Sequence, residues 1–296
     1  MAKFGKSFGG NCKLNKAYII GSTSFLGKHL AEELSQDYQV LTSPSYSKYK
    51  DYLSWEDQII QDLLREKPDL IVIAGASQSK NDDKYAIEEL VNSNCRLPST
   101  VASTLLQTNR EAKLIVFGSS WQYADSQEYR PFNLYAASKQ AGYDLLEHYA
   151  LHGLRICGVL LFDTYGPEDE RNKLLNLLIS AGSQNKQIAL TFGEQEIDLV
   201  EIRDVCKGVR KCIEELATWD VANGLMKRGL GSGKAIKVKT LAGMVEEFFE
   251  AKNLFILGAR GYREREVMRV FKGYIRPKGW KIRYSLREQL KRVRSK

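Results

Sequence analysis

Residues 17–35 constrain the fold of this 296-residue chain more than any other stretch. Ala17-Tyr18-Ile19-Ile20 is a short apolar run that reads as a buried strand. It feeds directly into Gly21-Ser22-Thr23-Ser24-Phe25-Leu26-Gly27. Leu26, Leu30 and Leu34 then share one face of a helix predicted over 25–35. A strand that enters a glycine-bracketed turn and leaves as a helix brings backbone close to a pyrophosphate, and offers it N–H groups and the positive end of a helix dipole. The pattern is GxxSxxG, with Ser24 where the dinucleotide fingerprint has its middle glycine. Residues 1–15, polar and glycine-rich, are expected to form a flexible arm.

The alternation continues, with a strand at 38–42, a helix at 55–65, a strand at 68–76, a helix at 98–107 and a strand at 114–117. The third strand is apolar throughout, as in a parallel sheet covered on both faces, and ends in Ala74-Gly75-Ala76, small enough for a cofactor to pass. This order predicts a doubly wound parallel α/β sheet with ligands at the C-terminal strand ends. An acid at the end of the second strand would bind the adenosine ribose hydroxyls of NAD and repel a 2′-phosphate. The sequence there is Leu41-Thr42-Ser43-Pro44-Ser45, with Lys48 beyond. Its hydroxyls and cation favour NADP(H), with NAD(H) as the alternative.

The strand at 114–117 runs into Gly118-Ser119-Ser120. Sixteen residues after Ser119 comes Tyr135, with Lys139 four further on along a predicted helix. Residues four apart share a helix face, so the ammonium lies beside the phenol and is expected to draw its pKa down from ~10 toward working pH. Ser119, Tyr135 and Lys139 together could move a proton on and off a substrate oxygen while a cofactor moves a hydride.

Composition excludes several other classes. No run approaches the ~18 apolar residues of a membrane span, and the N-terminus has no signal-like apolar segment, so a cytoplasmic protein is expected. Five scattered cysteines without a CxxC, and His148 and His152 without a carboxylate partner, argue against a metal site. Residues 227–296 carry 20 Lys/Arg against 6 Glu, a net +14, while the rest of the chain is at −6. A basic quarter invites a nucleic-acid reading. The apolar pattern Trp280, Ile282, Tyr284, Leu286 and Leu290 instead predicts a folded segment whose charge faces solvent and a small anionic ligand.

Gly21xxSxxGly27, the strand end at 73–76, Asn94, the FGSSWQY segment and NLYAASK together resemble the extended short-chain dehydrogenase/reductases that act on nucleotide sugars. Later segments (DTYGPEDERNK, EIDLVEIRDV, GYREREVM) carry the resemblance through nearly the whole chain, and DTYGPED with Asn172-Lys173 is most similar to the CDP-abequose and CDP-paratose synthases. The resemblance implies a Rossmann domain over 16–163 and a smaller C-terminal α/β substrate domain over 164–296, with part of 190–215 returning to the first. It implies Ser119, Tyr135 and Lys139 as catalytic residues. It sets Gly21, Ser24, Phe25, Leu26, Gly27, Thr42, Ser43, Ser45, Ala74, Gly75, Ala76 and Asn94, with Tyr135 and Lys139, on the cofactor. Gln78, Ser120, Trp121, Asp163, Lys173 and Arg263 are assigned to the substrate. Ser120-Trp121 stand where the family's 4,6-dehydratases have Asp-Glu, which argues against dehydration. Asp163 replaces a family Asn, Ile197 replaces an Arg, and Asp204 is expected as a helix N-cap. The expected reaction is reduction of a nucleotide-linked 4-keto-deoxysugar by a homodimer, with a 4-epimerase using bound NAD as the runner-up. A non-catalytic dinucleotide sensor or nucleic-acid-binding relative has no need of all three catalytic residues.

Overall fold

A computed structural model of the chain describes residues 14–75, 77, 79 and 83–294. The arm expected over 1–15 lies outside the described residues except for Leu14 and Asn15. From the N-terminal end the chain forms β1 (Asn15–Ile20), α1 (Phe25–Leu34), β2 (Tyr38–Thr42), α2 (Tyr52–Glu66), β3 (Leu70–Ile73), α3 (Lys84–Val91), α4 (Leu97–Thr108), β4 (Lys113–Ser119), α5 (Leu134–Leu151) and β5 (Arg155–Leu161). It continues with β6 (Asp163–Tyr165), α6 (Leu174–Ser183), β7 (Ile188–Ala189), β8 (Glu196–Ile197), β9 (Leu199–Glu201), α7 (Ile202–Leu216), β10 (Met226–Leu230), β11 (Ile236–Lys237), α8 (Val238–Phe249), β12 (Phe255–Ile256) and α9 (Leu286–Arg294).

Among the described residues, six strands form one parallel sheet in the order β10-β5-β4-β3-β1-β2. Ile19 of β1 lies between Thr42 of β2 and Val72 of β3. The chain leaves β1 for β2 on one side and returns to β3 on the other. That reversal opens a crevice at the strand ends, where ligands of such sheets bind. Alternate side chains of each strand feed two cores. Ala17, Ile19, Ile115, Val159 and the apolar face of α7 close one layer, and Tyr18, Ile71, Leu114, Leu146 and Ile156 close the other. The second half of the chain has its own core, built from α6, α8 and Leu290 of α9. Residues 202–216 and 226–230 belong to the main sheet's layers, so the chain crosses back to that sheet after α6.

Two local features differ from the sequence reading. Asn94, expected at the cofactor, lies inside a π-helical turn (Asn92–Arg96) that joins α3 to α4. Leu97 still donates its N–H to the Asn92 carbonyl five residues back, and Pro98, the second residue of α4, has no N–H with which to continue that wider bonding. Asp204, expected as an N-cap, is the third residue of α7, which Glu201 caps instead. The fully buried Asp204 carboxylate accepts the backbone N–H groups of Arg283 and Tyr284, both at 2.9 Å, and its carbonyl accepts Trp280 Nε1–H at 2.8 Å. It thus holds the basic C-terminal segment against α7. Among the described residues, no helix is long and apolar enough to cross a membrane, and no three His, Cys, Asp or Glu side chains gather as a metal site.

Candidate active site

Ser119 ends β4, and the next residues turn at once through one 3₁₀ turn (Ser120–Gln122). Asn133 starts α5 by accepting the Ala136 N–H at 3.0 Å, which makes Tyr135 the second residue of that helix and puts Lys139 one turn on. Ser119, Tyr135 and Lys139 line one cavity of about 210 Å³. Ser24, Phe25, Leu26 and Ala74 form its wall on the β1 and β3 side, and Ser120, Trp121, Asp163 and Lys173 form the opposite wall. Most of the site expected from sequence is therefore brought together.

The electrostatics differ from expectation in one respect. Burial pushes the Tyr135 phenol up to about 12, not toward neutrality, and pushes the Lys139 ammonium down to about 8 against the opposing influence of Cys95. Lys139 Nζ is 5.8 Å from the Tyr135 ring centroid, so removal of both groups from water outweighs their mutual effect. The Asp163 carboxyl is also raised by burial, against the nearby Lys173 and Arg171 cations.

The glycine turn fits a dinucleotide. Gly21 has φ +83°, and a Cβ there would overlap the Gly75 backbone, so the ends of β1 and β3 approach closer than side chains permit. A Cβ on Gly27 would overlap the Gly21 carbonyl, which seats α1 directly on the turn. Ser24 caps α1 by accepting the Gly27 N–H at 3.0 Å, and it donates to the Ala74 carbonyl at 3.1 Å. That double role explains a serine in the middle of the fingerprint. The N–H groups of Phe25 and Leu26, in the first turn of α1, have no acceptor within the helix and are available to an anion. On the far side of the turn a second cavity, about 670 Å³, is walled by Gly21, Ser43, Ser45, Trp55, Gly75 and Ser77 among others. Among the described residues its one bounding lysine is Lys50, not Lys48, and Asp51, Glu88 and Glu89 also reach it. Asp51 is committed to capping α2 through Ser54, and Glu89 accepts the Ser77 hydroxyl. Ser43 Oγ accepts the Gly21 N–H at 3.4 Å.

Other expected residues lie elsewhere. Ala76 and Gln78 fall outside the described residues. Thr42 is exposed in β2 and borders neither cavity. Asn94 is buried beneath α5, where its Nδ2 donates to Ser138 Oγ at 2.9 Å and its carbonyl packs on Gly142. Arg263 is outside the cavity wall: its guanidinium grips Glu266, at 2.7 Å for the shorter contact, and stacks over Phe132. Asp198 turns from the cavity to accept the Ser232 and Gly233 N–H groups. Two residues were missed. Arg171 lines the cavity, clamps both oxygens of Asp169 and lies 4.0 Å over the Phe25 ring. Gln122 is completely buried behind Ser119. The spacing of Arg171 from Lys173 was a usable signal, whereas Gln122 depends on a partner 18 residues away.

A family model described as the NAD dependent epimerase/dehydratase family matches residues 17–222, from the first strand to beyond α7. The chain belongs to that family. CDP-abequose synthase of Yersinia pseudotuberculosis is 24% identical over 201 residues, 64% of this chain and 70% of that protein. Among solved structures, a dTDP-glucose 4,6-dehydratase from Streptomyces venezuelae with NAD bound superposes with TM-score 0.76 at 17% identity, covering 94% of this chain and 96% of that one. A GDP-mannoheptose C4 reductase from Campylobacter jejuni with NADP bound gives 0.74 at 16% identity, covering 95% and 98%. At these identities the two structures speak for the shared fold.

Proposed function

We propose that this member of the NAD dependent epimerase/dehydratase family reduces a nucleotide-linked 4-keto-deoxysugar at C4. The observation that supports it best is the cavity in which Ser119, Tyr135 and Lys139 meet the N-terminal turn of α1. When bound, the nicotinamide cofactor supplies the hydride. Ser119 holds the ketone oxygen with its hydroxyl, and Tyr135 donates a proton to that oxygen as charge builds on it. A phenol kept protonated by burial has the proton to give to the alkoxide that hydride addition creates. Ser120 and Trp121 lack an acid or base for dehydration. Lys173 supplies positive charge on the substrate side, and Lys139 supplies it beside Tyr135.

The Lys139 pKa sets a pH limit. A lysine held at about 8 carries its proton below that pH and loses it above, so turnover is expected to fall on the alkaline side of about pH 8. Lys139→Met should remove this limb of the pH profile along with most activity. An alkaline limb unchanged in that variant would assign it to another group.

The lack of an acid at the end of β2, with Lys50 in the wall of the second cavity, supports NADP(H). Ser45→Asp is then expected to weaken NADPH binding about 10-fold more than NADH, by like-charge repulsion of the 2′-phosphate. Titration by fluorescence quenching checks this, and equal losses for both cofactors would remove the residues after β2 from cofactor choice. The family resemblance and the exposed Leu145 and Leu151 of α5 support a homodimer through α4 and α5. Light scattering at micromolar protein should return twice the 33.6 kDa chain mass, and the mass of one chain would refute the dimer.

A further inference from the structure

Ser119 comes from the end of a strand and Tyr135 from a helix, so the proton device described above works only if those two elements keep a fixed separation. Behind Ser119 lies an unbroken row of side-chain amides. Gln122 Oε1 accepts the Ser119 N–H at 2.8 Å, Gln122 Nε2 donates to Gln140 Oε1 at 2.9 Å, and Gln140 Nε2 donates to Asp144 Oδ1 at 2.7 Å. Gln140 and Asp144 belong to α5, and Gln140 directly follows Lys139. Gln122 itself has no exposed surface. A buried amide costs free energy unless both its ends are bonded, and an apolar side chain would fill the same space without that cost. The surroundings are shaped around the amide: a Cβ on Gly118 would meet Gln122 Oε1 at 2.5 Å and the Tyr143 hydroxyl at 2.6 Å. In front of the row, Ser119 Oγ accepts the Trp121 N–H at 3.3 Å, which leaves the serine proton to donate into the cavity.

We propose that Gln122 is a positioning residue, which through Gln140 registers the end of β4 against α5 and so fixes Ser119 relative to Tyr135. This rests on the ketoreductase reading for its consequence in turnover, but its geometric content stands apart from that reading. Misplacement of a reacting group by a fraction of an ångström acts on the chemical step more than on binding.

Three variants test it. Gln122→Met keeps the volume and removes the amide. Gln122→Glu keeps an acceptor for the Ser119 N–H, and its carboxyl, held protonated by the complete burial of this position, can donate its O–H to Gln140 Oε1 in place of the amide N–H. Gln140→Met, at the half-buried end of the row, breaks the link to α5 with less risk to folding. With NADPH and a nucleotide-linked 4-ketosugar, Gln122→Met and Gln140→Met are expected to lower kcat at least ~10-fold, with KM and the NADPH Kd within about 2-fold of wild type. Gln122→Glu should recover most of the loss. Hydrogen exchange by mass spectrometry over residues 114–124 should show the Ser119 amide exchanging at least ~10-fold faster in both methionine variants. Wild-type exchange at Ser119 in Gln140→Met, or kcat unchanged in both methionine variants, would overturn the proposal. A wild-type protein that turns over no ketosugar would instead count against the ketoreductase reading, and the exchange result would still decide the role of Gln122.

Discussion

Tyr135→Phe is expected to lower turnover by about 100- to 10,000-fold, the range for removal of a positioned general acid, while NADPH affinity and thermal stability stay near wild type. The phenol is half-buried at the start of α5 and its hydroxyl makes no hydrogen bond within the fold among the described residues, so its loss leaves no buried partner unsatisfied. What disappears is the proton that the new C4 hydroxyl needs. Steady-state kinetics at saturating cofactor separate the outcomes: a fall in kcat and kcat/KM together marks an interaction made in the transition state, whereas a rise in KM alone would make Tyr135 a binding residue. Turnover close to wild type would remove Tyr135 from the mechanism.

Gly21→Ala is expected to abolish dinucleotide binding and lower the melting temperature. Gly21 stands at φ +83°, where an L side chain is strained, and its Cβ would enter the backbone at Gly75. The backbone conformation alone costs roughly 1 to 2 kcal/mol, and relief of the overlap requires the ends of β1 and β3 to part. Because Ser24 is tied to the Ala74 carbonyl and α1 is seated on Gly21, that movement displaces the N–H groups of Phe25 and Leu26 from the position where they would meet a pyrophosphate. Calorimetric titration with NADPH and a thermal melt test both parts. Wild-type affinity at an unchanged melting temperature would show that the close approach of the two strand ends is dispensable.

The parallel sheet was legible because its information is local. Apolar runs such as 70–73, bounded by amphipathic helices of period 3.6, specify strand and helix without knowledge of partners. The glycine turn and the Tyr135/Lys139 spacing were legible for the same reason. What escaped depends on partners remote in sequence. Asp204 looked like a cap from its neighbours, yet its carboxylate serves Arg283 and Tyr284, 79 and 80 residues away. Gln122 reads as one more polar loop residue until Gln140 and the Ser119 N–H close around it. Arg263 looked like a free anion ligand, but Glu266 three residues on occupies its fork. The Tyr135 pKa moved opposite to the expected direction because spacing reveals the neighbouring cation and not the loss of water around both groups. The short α3 and the π-helical turn after it carry no glycine or proline break between them, so neither has a boundary that local signals reveal.

Net reduction at C4 is checked by following the cofactor and the sugar in one reaction. Protein purified without added nucleotide is mixed with NADPH and a CDP-linked 4-keto-deoxyhexose, and NADPH absorbance is followed while the sugar product is identified by NMR. The prediction is consumption of one NADPH for each C4 alcohol formed, with no turnover when NADPH is omitted. Protein that arrives with tightly held NAD, leaves NADPH untouched and interconverts C4 epimers of a nucleotide sugar would contradict it.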